Sequence, residues 1–468
     1  MARTTVADVL IDGLARAGAA RIFSGPRAPD PLRATADRHG VAAVEAPGAM
    51  SAVVLAAVTG EVGEGPGGVI AALDDAPGLV RGLAHAQRDR TPLIVLTPAG
   101  ADAGLLAPVV KASLAVDAAS AGHWIAHAAN LAMTDPRGPV HLAVDDAVAD
   151  RATLPVATAC RPAPLPPPEP TTLEALGAAL ASANRPLLIT GLECGADDAR
   201  WIRSFAETLP APVLATTKGK GALADPHPLA LGALTADHPA LARADLVVLL
   251  GVDAGELPPG VLPRATRIAH IGRARWPDVA FAAEAIGDLA LVIEELAPTV
   301  RGRPAADWDV AEVDRIKRGI VRAASATPAG RAVALAREAA PAEVLATGDV
   351  PAFAAWQAVA PRQALSPLGA VPGYALLAAV AIGLQRPDRA VVAVTSPSGL
   401  RAGEAMLVLA ERLALALTVV VLDAGAAMPA PAGIEPSVCR DEAGFARAFS
   451  RALLDRRLAV VAFQPEGG

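Results

Sequence analysis

The chain predicts an α/β fold of three doubly wound parallel sheets, and three observations carry that reading. Apolar runs of four to seven residues recur along the 468-residue chain, with amphipathic stretches between them. Runs of that length separated by helices argue for parallel strands covered on both faces. Two breaks, RPAPLPPPEP at 161–170 and TVRGRPAADW at 299–308, divide the chain into three segments that each repeat the alternation. The first break is a stiff proline-rich linker and the second a softer boundary. Hydrophobic residues make up 53% of the chain and aromatics only 3%, so the cores are built from Ala, Val and Leu. Domains are expected at 1–160, 171–300 and 325–468, an ordinary size for such units.

In order along the chain, TTVADVLIDGLARAGAARIF opens the first segment as an amphipathic helix, not a signal peptide. Its strand candidates are AAVEA (42–46), GGVIAAL (67–73), PLIVLT (92–97) and GPVHLAV (138–144). The second segment offers PLLIT (186–190), PVLAT (212–216), DLVVLLG (245–251) and RIAHIG (267–272). The third offers AEVLATG (342–348), RAVVAVT (389–395), LTVVVLD (417–423) and LAVVAF (458–463). After RAVVAVT a Ser-Pro-Ser-Gly turn leads into a helix, a place where backbone N–H groups can hold a phosphate.

Composition excludes several function classes. A formal charge of −7 with no long Lys/Arg run speaks against nucleic acid as a partner. No uninterrupted apolar stretch reaches membrane-spanning length, so no membrane partner is expected. Cys160, Cys194 and Cys439 are scattered, with no metal-ligand spacing, which suits a reducing cytoplasm and no zinc site. The eight histidines form no H-E-x-x-H pattern, and Ser396 and Ser398 lack the flanking glycines of a nucleophile elbow. GKGALA (219–224) matches G-x-G-x-x-A, but no strand-end acid follows at the distance a dinucleotide site needs.

The order and spacing of these stretches resemble the thiamine-diphosphate-dependent enzymes, nearest to acetolactate synthase and benzoylformate decarboxylase. TTVADVLIDGLARAGAARIFSGP, DPRGPVHLAV, APVLATTKGKGALADPHPLALG and LGAVPGYALLAAVAIGLQRPDRAVVAV all fall in the family's order. The resemblance covers nearly the whole chain. It implies a pyrimidine-binding, a central and a diphosphate-binding domain, with the cofactor between the first domain of one subunit and the third of another. A homodimer or homotetramer, with room for a small molecule in the inter-subunit cleft, follows from that arrangement.

The family's motifs are kept unevenly. Glu45 stands where the family has the glutamate that hydrogen-bonds the aminopyrimidine ring, with Thr59-Gly60 at the family's spacing behind it. A slip of one residue would put Ala46 there instead. A carboxylate between Val44 and Ala46 is costly to bury without a partner; as a plain strand-end residue it would face solvent. The family's Gly-Val-Pro-Gly turn becomes Ser24-Gly25-Pro26-Arg27, which puts a bulky cation where backbone approaches the cofactor. The next loop becomes Ala72-Leu73-Asp74-Asp75-Ala76-Pro77-Gly78, whose acids suit a helix N-cap.

In the third segment the family's Gly-Asp-Gly becomes Ser396-Pro397-Ser398, and its Asn-Asn becomes Asp423-Ala424. The two side-chain magnesium ligands are therefore Pro397 and Ala424, which have no side-chain oxygen for an octahedral oxygen site. Asp423, next door, is the one nearby substitute. Val371 or Pro372 takes the place of the bulky residue beneath the thiazolium ring. Only 45 residues follow Asp423, fewer than the family's covering segment needs. His270-Ile271-Gly272 stands where relatives that bind a nucleotide carry a strand-end acid.

The resemblance thus leaves two readings. In the favoured one, the chain is a degenerate family member without magnesium–thiamine-diphosphate catalysis: a scaffold, a regulatory subunit or a repurposed cleft. In the other, it decarboxylates or carboligates a 2-oxo acid. Glu45 would then activate the cofactor, Val371 would shape it, and Ser396, Ser398 and Gly399 would hold its diphosphate. Gly25, Pro26, Ala72 and Asp423 complete the candidate cofactor-binding set. Thiamine diphosphate is the candidate cofactor, and magnesium is not expected through the usual ligands.

Overall fold

The computed structural model describes residues 4–262, 266–277, 279–300, 306–423 and 431–465. Ala424, one of the two metal-ligand positions, and 301–305 of the second boundary lie outside the described residues. Three six-stranded sheets make up the fold, every described pairing within them parallel. The first holds β1 (Arg21–Ser24), β2 (Ala42–Glu45), β3 (Gly67–Ile70), β4 (Leu93–Thr97), β5 (Ala112–Ala115) and β6 (Pro139–Ala143). The second holds β7 (Pro186–Thr190), β8 (Val213–Ala215), β9 (Ala230–Ala233), β10 (Leu246–Leu250), β11 (Arg267–Gly272) and β12 (Ala283–Ile286). The third holds β13 (Leu345–Gly348), β14 (Ala364–Leu365), β15 (Val391–Thr395), β16 (Leu417–Val421), β17 (Ser437–Cys439) and β18 (Ala459–Phe463).

The first sheet runs β2-β1-β3-β4-β6-β5 and the third β14-β13-β15-β16-β18-β17. Counted within each sheet, the two orders are identical. The second sheet runs β9-β8-β7-β10-β11-β12, the 3-2-1-4-5-6 order of dinucleotide-binding sheets. Its direction of winding reverses between β7 and β10.

Local signals set the elements. The helix Val6–Ala17 starts at a Thr5/Asp8 capping box and stops at Gly18, whose φ of 97° suits only glycine. The helices Ala49–Val62 and Tyr374–Gln385 have almost no polar face. A helix apolar all round must be buried, and these two pack together between the first and third sheets in one continuous core. At their ends the Arg21 guanidinium donates to the Leu384 carbonyl at 2.6 Å.

The second sheet is locked to the other two by charge and by close backbone approach. Lys218, buried, donates to Glu61 at 2.8 Å and pairs with Asp89 at 2.7 Å. Burial opposes its charge, but the two carboxylates hold the ammonium protonated. Gly219 and Gly221, from the G-x-G-x-x-A match, lie against the Thr190 and Ala360 carbonyls with no room for a Cβ. That stretch is a domain joint. No described helix is long and apolar enough to cross a membrane.

The twelve strand candidates all contain strands, and each sheet has two more. The stretch GGVIAAL is a strand only over Gly67–Ile70, because Leu73–Asp75 turns into a short 3-10 helix. The helix after β15 is broken in two, Pro397–Ala402 and Glu404–Arg412, at Gly403.

Candidate functional site

At the carboxyl end of the third sheet, Ser396 caps the short helix Pro397–Ala402. Its hydroxyl accepts the Gly399 N–H at 3.1 Å and lies 2.9 Å from the Ser398 hydroxyl. The N–H that could take a phosphate is thus given to a side chain of the same turn. Behind the turn stands Asp349, the residue after β13, which accepts the Ala375 N–H at 3.2 Å. Burial pushes its carboxyl up, partly offset by the Thr395 hydroxyl beside it. Space next to Gly399 is filled by Thr395 and by the Asp349 carboxyl, 3.1 Å from where a Cβ would sit. Space next to Gly348 is filled by the ring of Phe353, which stacks on Trp356 at 6.1 Å. Asp423 is exposed at the end of β16 with a φ of 54°. Val371 is half-buried against the shared core, and Pro372 is exposed. Among the described residues no three His, Cys, Asp or Glu side chains are grouped to hold a metal.

The first sheet's carboxyl end has its own departures from the family pattern, and they meet. Arg27, at a positive φ of 58°, pairs with Asp74 at 2.6 Å. Asp75 caps two helices, accepting the Gly78 N–H at 3.1 Å and the Ala49 N–H at 3.3 Å. Gly25 is buried and donates to the Ile70 carbonyl at 3.0 Å, while Pro26 is exposed and Ala72 is extended and half-buried. Glu45 ends the edge strand β2. It is exposed, with Arg33 at 3.3 Å.

Among the described residues no contact joins Glu45 to the Ser396 turn within one chain. The Glu45 carbonyl accepts from Arg412 at 2.9 Å. Arg412 is the last residue of the helix Glu404–Arg412, whose start follows the short helix that Ser396 caps. Nine helical residues put those ends about 12 Å apart, with Glu45 at the far one.

A cavity of about 1220 Å³ opens where the three sheets meet, on the other side from both mouths. Glu61, Asp89 and Lys218 line one wall, and Arg137, Glu193, Arg273 and Arg362 line others. Burial pushes Glu193 up to about 8, and the Asp135 charge adds to this. Arg273 pairs with Asp288 at 3.1 Å, while its Nε is buried without a hydrogen-bond partner. The motifs gave no notice of this cavity or of Asp349. An acid directly after an apolar strand, as in AEVLATGD, is the signal that marks the latter.

Comparison with known proteins bears on all three regions. Residues 173–296 match the family model described as thiamine pyrophosphate enzyme, central domain. The chain is 30% identical to the acetolactate synthase large subunit of Parasynechococcus marenigrum, covering 84% of this chain and 72% of that protein. It is 28% identical to the acetolactate synthase isozyme 1 large subunit of Escherichia coli, covering 69% and 64%. Among solved structures, a candidate thiamin diphosphate-dependent enzyme of Mycobacterium smegmatis superposes with a TM-score of 0.81 at 19% identity over 99% of both chains. Benzoylformate decarboxylase of Polynucleobacter necessarius does so with 0.78 at 17% identity over 98% of both.

Proposed function

This chain belongs to the thiamine-diphosphate-dependent enzymes, on their acetolactate-synthase side, and from that premise we propose that it is a member without standard magnesium–diphosphate catalysis. Its cleft would serve as a scaffold, a regulatory surface or a pocket turned to another ligand. The mouth of the third sheet carries this reading. Pro397 offers no side-chain oxygen to a metal, and the Gly399 N–H is spent on Ser396. The Asp349 carboxyl, close behind, fills the space beside Gly399. These side chains do not fit a magnesium diphosphate, and no catalytic step is assigned through one.

Titration of the purified protein with thiamine diphosphate, once with magnesium and once with EDTA, tests the reading. No binding in either condition, up to millimolar cofactor, is expected. Micromolar binding that needs magnesium would overturn it and leave the second reading, a 2-oxo acid decarboxylase or carboligase. The placement of Glu45 at the open end of β2 favours that alternative. Glu45→Gln would then abolish turnover.

A further inference from the structure

In open α/β sheets, ligands bind outside the carboxyl ends of the strands at the point where the winding reverses. For the central sheet that point lies between β7 and β10, and it faces the three-domain cavity through Leu192, Glu193 and Arg273. Its rim is built for close approach. Gly191 follows β7, Gly251 follows β10 at a φ of 58°, and Gly272 ends β11.

The room these glycines leave is taken by the chain itself. A Cβ on Gly251 would lie 2.8 Å from Leu289 and 3.1 Å from the Glu193 Cβ, and one on Gly272 would meet the His270 ring at 2.5 Å and a Glu193 carboxyl oxygen at 3.3 Å. The Arg273 N–H, at the end of β11, donates to Glu193 at 2.8 Å. Glu256 takes the Leu192 and Asp253 N–H groups at 2.9 Å each, and the Thr216 hydroxyl besides. Three backbone donors that could serve a phosphate are thereby spent on internal carboxyl groups, in a site also faced by Asp198 and Asp288. Glu256 is buried below the rim, whereas Glu193 reaches into the cavity.

We propose that Glu193 is a built-in occupant of this crevice that closes the central domain to nucleotide diphosphates, and that shortening it opens the crevice to them. Removing the carboxyl frees the Arg273 N–H and takes away the oxygen beside Gly272, while the His270 ring beside Gly272 and the Leu289 side chain beside Gly251 stay. Arg273 and Arg362, both lining the cavity, remain to meet the phosphates. The inference concerns a different domain from the one on which the proposed function rests, so either can fail alone.

Calorimetric titration of the full-length protein with ADP is the test, on wild type, Glu193→Ala, Glu193→Ser and Glu193→Ala/Arg273→Met. Wild type is expected to show no saturable binding at millimolar ADP. Glu193→Ala should bind with Kd below about 0.1 mM, a gain of at least tenfold, and the second substitution should abolish that gain. Glu193→Ser, which keeps a polar group, repeats the measurement if the alanine variant does not fold. Wild-type binding as tight as the variant's would overturn the proposal. So would a folded short-side-chain variant that still does not bind, or a gain that survives Arg273→Met.

Discussion

His141 is a histidine that the fold never lets charge easily. It lies fully buried in β6, with Nε2 2.9 Å from the Thr97 hydroxyl and Nδ1 2.7 Å from the Ser113 hydroxyl. Burial lowers it from 6.5 to about 4. The sign of the linkage follows. Between those values the unfolded chain binds a proton that the folded one refuses, so stability is present above pH 6.5 and is lost as pH falls towards 4. A shift of that size is on the order of 3 kcal/mol at the acid limit. His141→Gln can keep both hydrogen bonds without titrating. Urea unfolding at pH 7.5 and pH 4.5 should therefore show wild type losing up to about 3 kcal/mol relative to the variant. A difference between the two proteins that does not change with pH would refute the assignment. The same comparison between variants is needed because Glu193 and Glu256, pushed up by burial to about 8 and about 7, act with the opposite sign.

Elements differ in how much of themselves the sequence displays. Central strands such as Leu93–Thr97 and Leu246–Leu250 are buried on both faces and read as unbroken apolar runs. The strands that pattern alone does not reveal are mostly edges. Ala364–Leu365 is two residues long and Ser437–Cys439 three, too short for a period to register. Site residues divide in the same way. Glu45, Ser396 and Asp75 are visible because each sits at a junction of strand, turn and helix. The Arg27–Asp74 pair is not, since it joins two loops that only the fold brings together. Helical glycines make the point testable. A Cβ on Gly60, in the helix Ala49–Val62, would run into the Pro92 carbonyl oxygen, whereas Gly319, in the helix Val310–Ala324, has nothing within 4 Å. Propensity alone favours alanine at both by up to about 1 kcal/mol. Gly319→Ala should realise that gain, while Gly60→Ala should cost about 1–3 kcal/mol, because backbone must shift. Thermal melts of the two variants decide it, and equal shifts in one direction would show that packing does not distinguish the sites.

For the whole molecule, the first and third sheets share one strand order, and each carries an all-apolar helix after its second strand. The two helices meet inside one chain, yet no contact among the described residues joins Glu45 to the Ser396 turn. Glu45 accepts from Arg412 at the far end of the helix that follows the one Ser396 caps. A cleft that uses both mouths therefore needs the first sheet of one copy set against the third sheet of another. The exposure of Glu45 at the end of an edge strand is what such a partner would cover. Closed two-fold pairing is the simplest solution, because each contact is then made twice. Sedimentation equilibrium at micromolar protein should give a dimer or a dimer of dimers, with a melting temperature that rises with concentration as association stabilises the folded state. Glu45→Lys, on the surface to be covered, should weaken the assembly without unfolding the chain. A clean monomer with a concentration-independent melt would mean that the mouths never meet. The 2-oxo acid reading, which needs both mouths, would then fall, while the closed crevice of the central sheet, complete within one chain, would be untouched.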